Sequence, residues 1–60
     1  MIKLYDEVIL KDGREGCVVE VWDAEHFSVD VGTSPKDWKN IEVSLDDLDL
    51  EEMKRKGLIN

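Results

Sequence analysis

Apolar and polar residues alternate through most of the first 45 positions, and the alternation breaks where glycine and polar residues cluster. Leu4, Val8 and Leu10 share one parity, and Tyr5 and Ile9 share the other, which predicts a first strand over 4–10. Asp12-Gly13 follows, a strong turn signal because glycine takes positive φ without a steric cost. Gly16 suggests a bulge or a strand start with close backbone approach, and residues 17–22 are the clearest strand, with Cys17, Val19 and Val21 on one face and Val18, Glu20 and Trp22 on the other. Asp23-Ala24-Glu25 is a polar connection of hairpin length. Beyond it Phe27, Val29 and Val31 alternate with His26, Ser28 and Asp30. Residues 32–40 are dense in turn formers and read as a loop. Ile41, Val43 and Leu45 alternate with Glu42 and Ser44 in a last strand.

The tail changes character. Asp49 followed by Glu52 has the form of a capping box. Glu51 with Arg55 and Glu52 with Lys56 are i, i+4 pairs in the favourable order. Gly57-Leu58 fits a Schellman ending. A short helix is expected over 50–56, docked by Leu48, Leu50, Met53 and Leu58, with a single turn at 44–48 leading into it. The expected fold is all-β: a small barrel of four to five antiparallel strands over 1–48, capped by a helical segment over 49–58, as one domain. Its inward set is Leu4, Val8, Leu10, Cys17, Val19, Val21, Phe27, Val29, Val31, Ile41, Val43 and Leu45.

Size sharpens this picture. A 60-residue chain has one small core, and cores of this size rarely supply more than about 3–5 kcal/mol of net stability. Cys17 is the lone cysteine and His26 the lone histidine, so neither an internal disulfide nor the commonest zinc clusters can add to it. No cofactor or metal is expected. The unpaired cysteine fits a reducing, cytoplasmic compartment. No apolar run reaches the roughly 20 residues that cross a bilayer.

Fifteen acidic residues oppose eight basic ones, a net charge of −7. That balance argues against a nucleic-acid or anionic-membrane binder and fits a basic protein partner, or solubility alone. Glu42, Asp46, Asp47, Asp49, Glu51 and Glu52 lie in residues 41–53 with no base among them. The spacing of an EF-hand loop is absent from this cluster. Its plain reading is helix caps and a solvated face; its functional reading is a surface that steers a basic partner. Lys11, Arg14, Lys36 and Lys39 occupy the candidate loops, where Asp12, Glu15 and Asp37 cancel their field.

The stretch from Tyr5 to Val21, with Asp12-Gly13 and Gly16 before a valine-rich strand, resembles small bacterial and phage SH3-like barrels of uncharacterised function. It is similar to the KOW motif of ribosomal and transcription-elongation proteins. Ser44-Leu45-Asp46-Asp47-Leu48 matches the acidic close of such domains. The resemblance spans about residues 4–48 and implies the barrel fold. The basic loops of the nucleic-acid-binding members are missing, so none of their binding residues carries over.

Trp22, Trp38 and Tyr5 lie off the inferred core, where aromatics serve either as interface anchors or as a satellite core. Cys17 and His26 form no catalytic pair by spacing, and a filled barrel leaves little room for a pocket that shifts a pKa. The expected function is therefore a non-enzymatic protein-binding module. It would use Trp22, Trp38 and Tyr5, with Glu42, Asp46, Asp47, Asp49, Glu51 and Glu52 steering a partner with a basic surface. One alternative is a phage or mobile-element inhibitor that mimics nucleic acid against a host defence nuclease, in the manner of an anti-CRISPR protein. Others are a KOW-type nucleic-acid-binding barrel and a homo-oligomeric structural piece.

Overall fold

The computed structural model describes residues 2–32, 34 and 36–59. Four strands form one antiparallel sheet in sequence order: β1 (Glu7–Ile9), β2 (Glu15–Asp23), β3 (His26–Val31) and β4 (Lys39–Ser44). A 3-10 turn (Leu45–Asp47) and a short helix α1 (Leu50–Arg55) follow. The protein is a small all-β domain with a C-terminal helix. The first strand is shorter than expected and the fourth begins two residues earlier; Thr33 and Pro35 of the expected 32–40 loop lie outside the described residues. No helix is long and apolar enough to cross a membrane among the described residues.

After β4 the chain returns to β1 and meets it through one bridge, Leu10 opposite Leu48. Lys11 N–H donates to the Asp47 carbonyl at 3.0 Å, and Asp49 N–H donates to the Ile9 carbonyl at 2.8 Å. Among the described residues the closure of the sheet amounts to this single rung. α1 packs on β1, and with cover on both sides Val8, Ile9 and Leu10 are all buried.

The core is Val8, Ile9, Leu10, Val18, Phe27, Val29, Val31, Val43, Leu48 and Met53, with Val21, Ile41, Leu45, Leu50 and Leu58 packed against it. The expected inward set holds on β3 and β4 and fails on the first half of β2. Val18, expected outward, is fully buried opposite Val29. Cys17 and Val19, expected inward, are only half-buried. The cause is a β-bulge: Val18 pairs with Val29 and Glu20 with Ser28, which leaves Val19 as an extra residue. The inward parity is therefore even up to Val18 and odd at Val21. Gly16 belongs to the even set. A Cβ there would lie 2.5 Å from Val29 Cγ1 and 2.8 Å from Val31 Cγ1, so only glycine admits this packing. Leu4, also expected inward, is 48% exposed, because the turn at Lys3–Asp6 ends the strand before reaching it. Ser28 and Ile9, expected on the outer parity, are buried; the Ser28 hydroxyl donates to Asn40 Oδ1 at 3.0 Å.

The helix is half of what its sequence promised at the N-terminus. Asp49 Oδ1 accepts the Glu52 N–H at 3.1 Å, but the reciprocal bond is replaced: Asp49 N–H goes to Ile9, and Glu52 Oε2 is held by Arg55 Nη1 at 2.7 Å. The i, i+4 pairs are thus supplanted by an i, i+3 pair and by Lys56 reaching Glu15 on β2 at 3.7 Å. The C-terminus is a Schellman motif, with Gly57 at φ +77°, Leu58 N–H donating to Met53 and Gly57 N–H to Lys54.

Candidate functional site

The sheet has an inner face, filled by the core, and an outer face. Register fixes what the outer face presents. Glu7, Cys17, Asp30 and Asn40 form one row across the four strands; Glu20, Ser28 and Glu42 form the next. Asn40 Nδ2 donates to Asp30 Oδ1 at 3.0 Å, and Asn40 Oδ1 accepts from Ser28, so this side of the face is held by a short chain of neutral donors.

A shallow groove runs over the first row. Tyr5, Glu7, Glu15, Gly16, Cys17, Val19, Asp30, Gly32 and Trp38 line it. The bulge puts Val19 there, and the same parity switch turns Cys17 toward it. Carboxylates stand at Glu7, Glu15 and Asp30, and among the described residues no lysine, arginine or histidine lines the groove. Glu15 is paired with Lys56, whereas no cation pairs with Glu7 or Asp30 among the described residues.

Two exposed aromatics frame this groove, each fixed by its backbone. Tyr5 is 77% exposed and sits at φ +68°, the left-handed region. That conformation costs a residue with a Cβ roughly 1–2 kcal/mol. It persists because the surrounding backbone over-determines it. Tyr5 N–H donates to the Val18 carbonyl at 2.7 Å, Val18 N–H donates to the Asp6 carbonyl at 3.0 Å, and Lys3 N–H donates to Asp6 Oδ2 at 2.9 Å. Trp38 is 56% exposed and seated on Gly32, where an added Cβ would come within 2.9 Å of Trp38 Cδ1. The turn before it is closed by Asp37 N–H on the Ser34 carbonyl, 2.9 Å, and by the Ser34 hydroxyl on Asp37 Oδ2, 3.1 Å.

The remaining residues singled out from the sequence fall elsewhere. Trp22 is 60% exposed but lies outside the groove, at the irregular end of β2. Asp47 accepts the Ser44 N–H at 2.8 Å, Asp49 caps α1 and Glu52 holds Arg55, so these three have local partners. Asp46 and Glu51 are exposed beside Lys11 in a second depression, near the closing rung. Glu42 projects from β4 among Leu10, Lys11, Arg14 and Asp47. The structure therefore unites Tyr5 with Trp38 and separates both from the acidic tail. Glu7, Asp30 and Val19 join the site only through register and the bulge; the one sequence signal for them was the carboxylate among outward positions of β3.

His26 and Cys17 sit at opposite ends of the β2–β3 ladder, one opposite Asp23 and the other opposite Asp30. His26 Nδ1 lies 2.8 Å from Asp23 Oδ1. That hydrogen bond, with the charge of Asp23, raises the His26 pKa above its ordinary value. Asp23 is held below the usual carboxylate range, first by the Glu25 N–H and then by His26. The pair ties the β2–β3 turn.

No protein-family model matches the chain, and no curated protein or solved structure matches it significantly.

Proposed function

We propose that this domain is a non-enzymatic, cytosolic protein-binding module whose contact surface is the groove between Tyr5 and Trp38. One observation carries the reading: two large, solvent-exposed aromatics are held over a single groove by strained or close-packed backbone. Backbone strain at an exposed side chain adds nothing to folding, and such strain clusters where a side chain must meet a ligand. Tyrosine and tryptophan supply large contact areas with few rotors to freeze, which is why they dominate interface energetics.

The acidic segment enters as a steering field. Glu52 is ion-paired with Arg55, whereas Asp47 and Asp49 accept only from neutral donors and keep their charge with Glu42, Asp46 and Glu51, so these five carry its long-range part, which acts on encounter rate more than on affinity. A mimic of nucleic acid would draw on the same carboxylates and not on the rings. Immobilised protein exposed to a bacterial lysate separates the two. We expect a partner retained by the native chain and by Trp22→Ala at high salt, and lost with Trp38→Ala. A partner retained by Trp38→Ala but released by salt, and lost with Asp46→Ala/Glu51→Ala, would overturn the groove reading in favour of the mimic. RNA or DNA retained at physiological salt would overturn it in favour of a KOW-type binder.

A further inference from the structure

The protein-binding reading leaves the chemistry of the partner open, and the groove itself narrows it. We propose that the groove receives a cationic side chain of a partner protein, arginine in preference to lysine, and this rests on the reading that the groove binds protein.

Three observations converge. The groove is lined by two aromatic rings, Tyr5 and Trp38, and a cation near an aromatic face is attracted by the ring quadrupole. The charged residues of the groove lining are carboxylates, Glu7, Glu15 and Asp30, with no basic side chain among its described lining residues. Among the described residues no cation pairs with Glu7, and the Asp30 carboxylate accepts one bond from the neutral Asn40 amide. The site thus holds negative charge beside apolar surface, and among the described residues only Glu15 of its three carboxylates has a cation. The described bases around it leave the other two without a cation: Lys56 reaches Glu15 at 3.7 Å, Arg14 and Lys39 line the adjoining depression, and the Arg14 guanidinium is paired with Asp12 at 2.7 Å. An acidic or purely apolar segment would leave Glu7 and Asp30 partly desolvated without a partner, which disfavours binding.

The floor fits the stem of such a side chain. Cys17 and Val19 are half-buried and give apolar ground between the carboxylates. Lysine and arginine both lay an aliphatic stem along apolar surface while keeping the charge at its edge. Arginine is preferred because its planar guanidinium stacks on rings and grips a carboxylate with two donors.

The test is a selection of displayed random peptides on the full chain, with counter-selection on Trp38→Ala. The expected result is peptides with arginine or lysine at one fixed position. Replacing that residue by norleucine should weaken binding roughly fivefold or more. Neutralising the site with Glu7→Gln and Asp30→Asn, which keep size and the Asn40 contact, should weaken it roughly threefold or more, and added salt should act in the same direction. Native-like NMR spectra of the variants show that they fold. Trp38-dependent peptides with no basic position, or with affinity unchanged in the Glu7→Gln/Asp30→Asn variant, would overturn the cationic occupant while leaving the protein-binding groove standing. Failure to select any Trp38-dependent peptide would overturn both.

Discussion

At the scale of single residues, Tyr5 sets stability against contact. Its left-handed backbone costs roughly 1–2 kcal/mol relative to glycine, and glycine loses about 0.5–1 kcal/mol more conformational entropy on folding. The two nearly cancel, and an exposed ring contributes little burial. Tyr5→Gly is therefore expected to leave the unfolding free energy, read by urea titration, within about 1 kcal/mol of the native chain, or raise it slightly, while partner capture falls. A clear loss of stability would mean that the ring supports the fold. His26 and Asp23 make a second, electrostatic statement. The raised His26 pKa means that the pair's contribution is complete below the ordinary histidine value of 6.5 and fades as pH rises through the higher folded value. The lowered Asp23 pKa means that it is complete above 3.8 and fades as pH falls through the depressed value. The tie is thus whole between those two limits. An NMR titration should show the His26 pKa falling back toward 6.5 in Asp23→Asn.

At the scale of elements, β2 decides what could be read in advance. The order of strands, the hairpin connection near residues 23–25, the helix and its glycine ending were legible because each has a local cause: periodicity, turn chemistry, caps. The inward face of β2 was not, because a bulge is a property of two strands and only pairing with β3 reveals that Val19 has no partner. Three valines in succession, counting Val21 past Glu20, give no sequence sign of which one is extra. Val18→Thr and Val19→Thr expose the difference, since both keep the branched shape that strands favour. Burying a hydroxyl at Val18 should cost about 1–3 kcal/mol, and at Val19 less than about 0.5 kcal/mol, read from denaturation midpoints. Equal costs would place both residues in the core. The proposed binding surface was legible to the same extent: the aromatics could be named, but which of them share a groove depended on register, and Trp22 parted from Tyr5 and Trp38 there.

At the scale of the whole molecule, a chain this short has a margin of only about 3–5 kcal/mol, and its parts do not share it evenly. β2 and β3 are paired along most of their length, whereas the last third of the chain is joined to β1 by the Leu10–Leu48 rung and by the packing of α1. The amides of Lys11 and Asp49, which form the rung, should exchange with solvent before those of β3. Equal protection would make the domain one cooperative unit. A looser closure also sets how long the protein lasts. Leu48 and Met53 are fully buried and are apolar residues of the kind many proteases cut beside; each opening of the rung offers them up while the meander stays intact. Cleavage that outpaces reclosing follows the opening rate, and slower cleavage follows the population of the open form. Under native conditions the first cuts should therefore fall within residues 48–53. The lifetime of the chain would then be governed by one rung and the corner of the core that Leu48 and Met53 fill, rather than by the strand pairing of the meander.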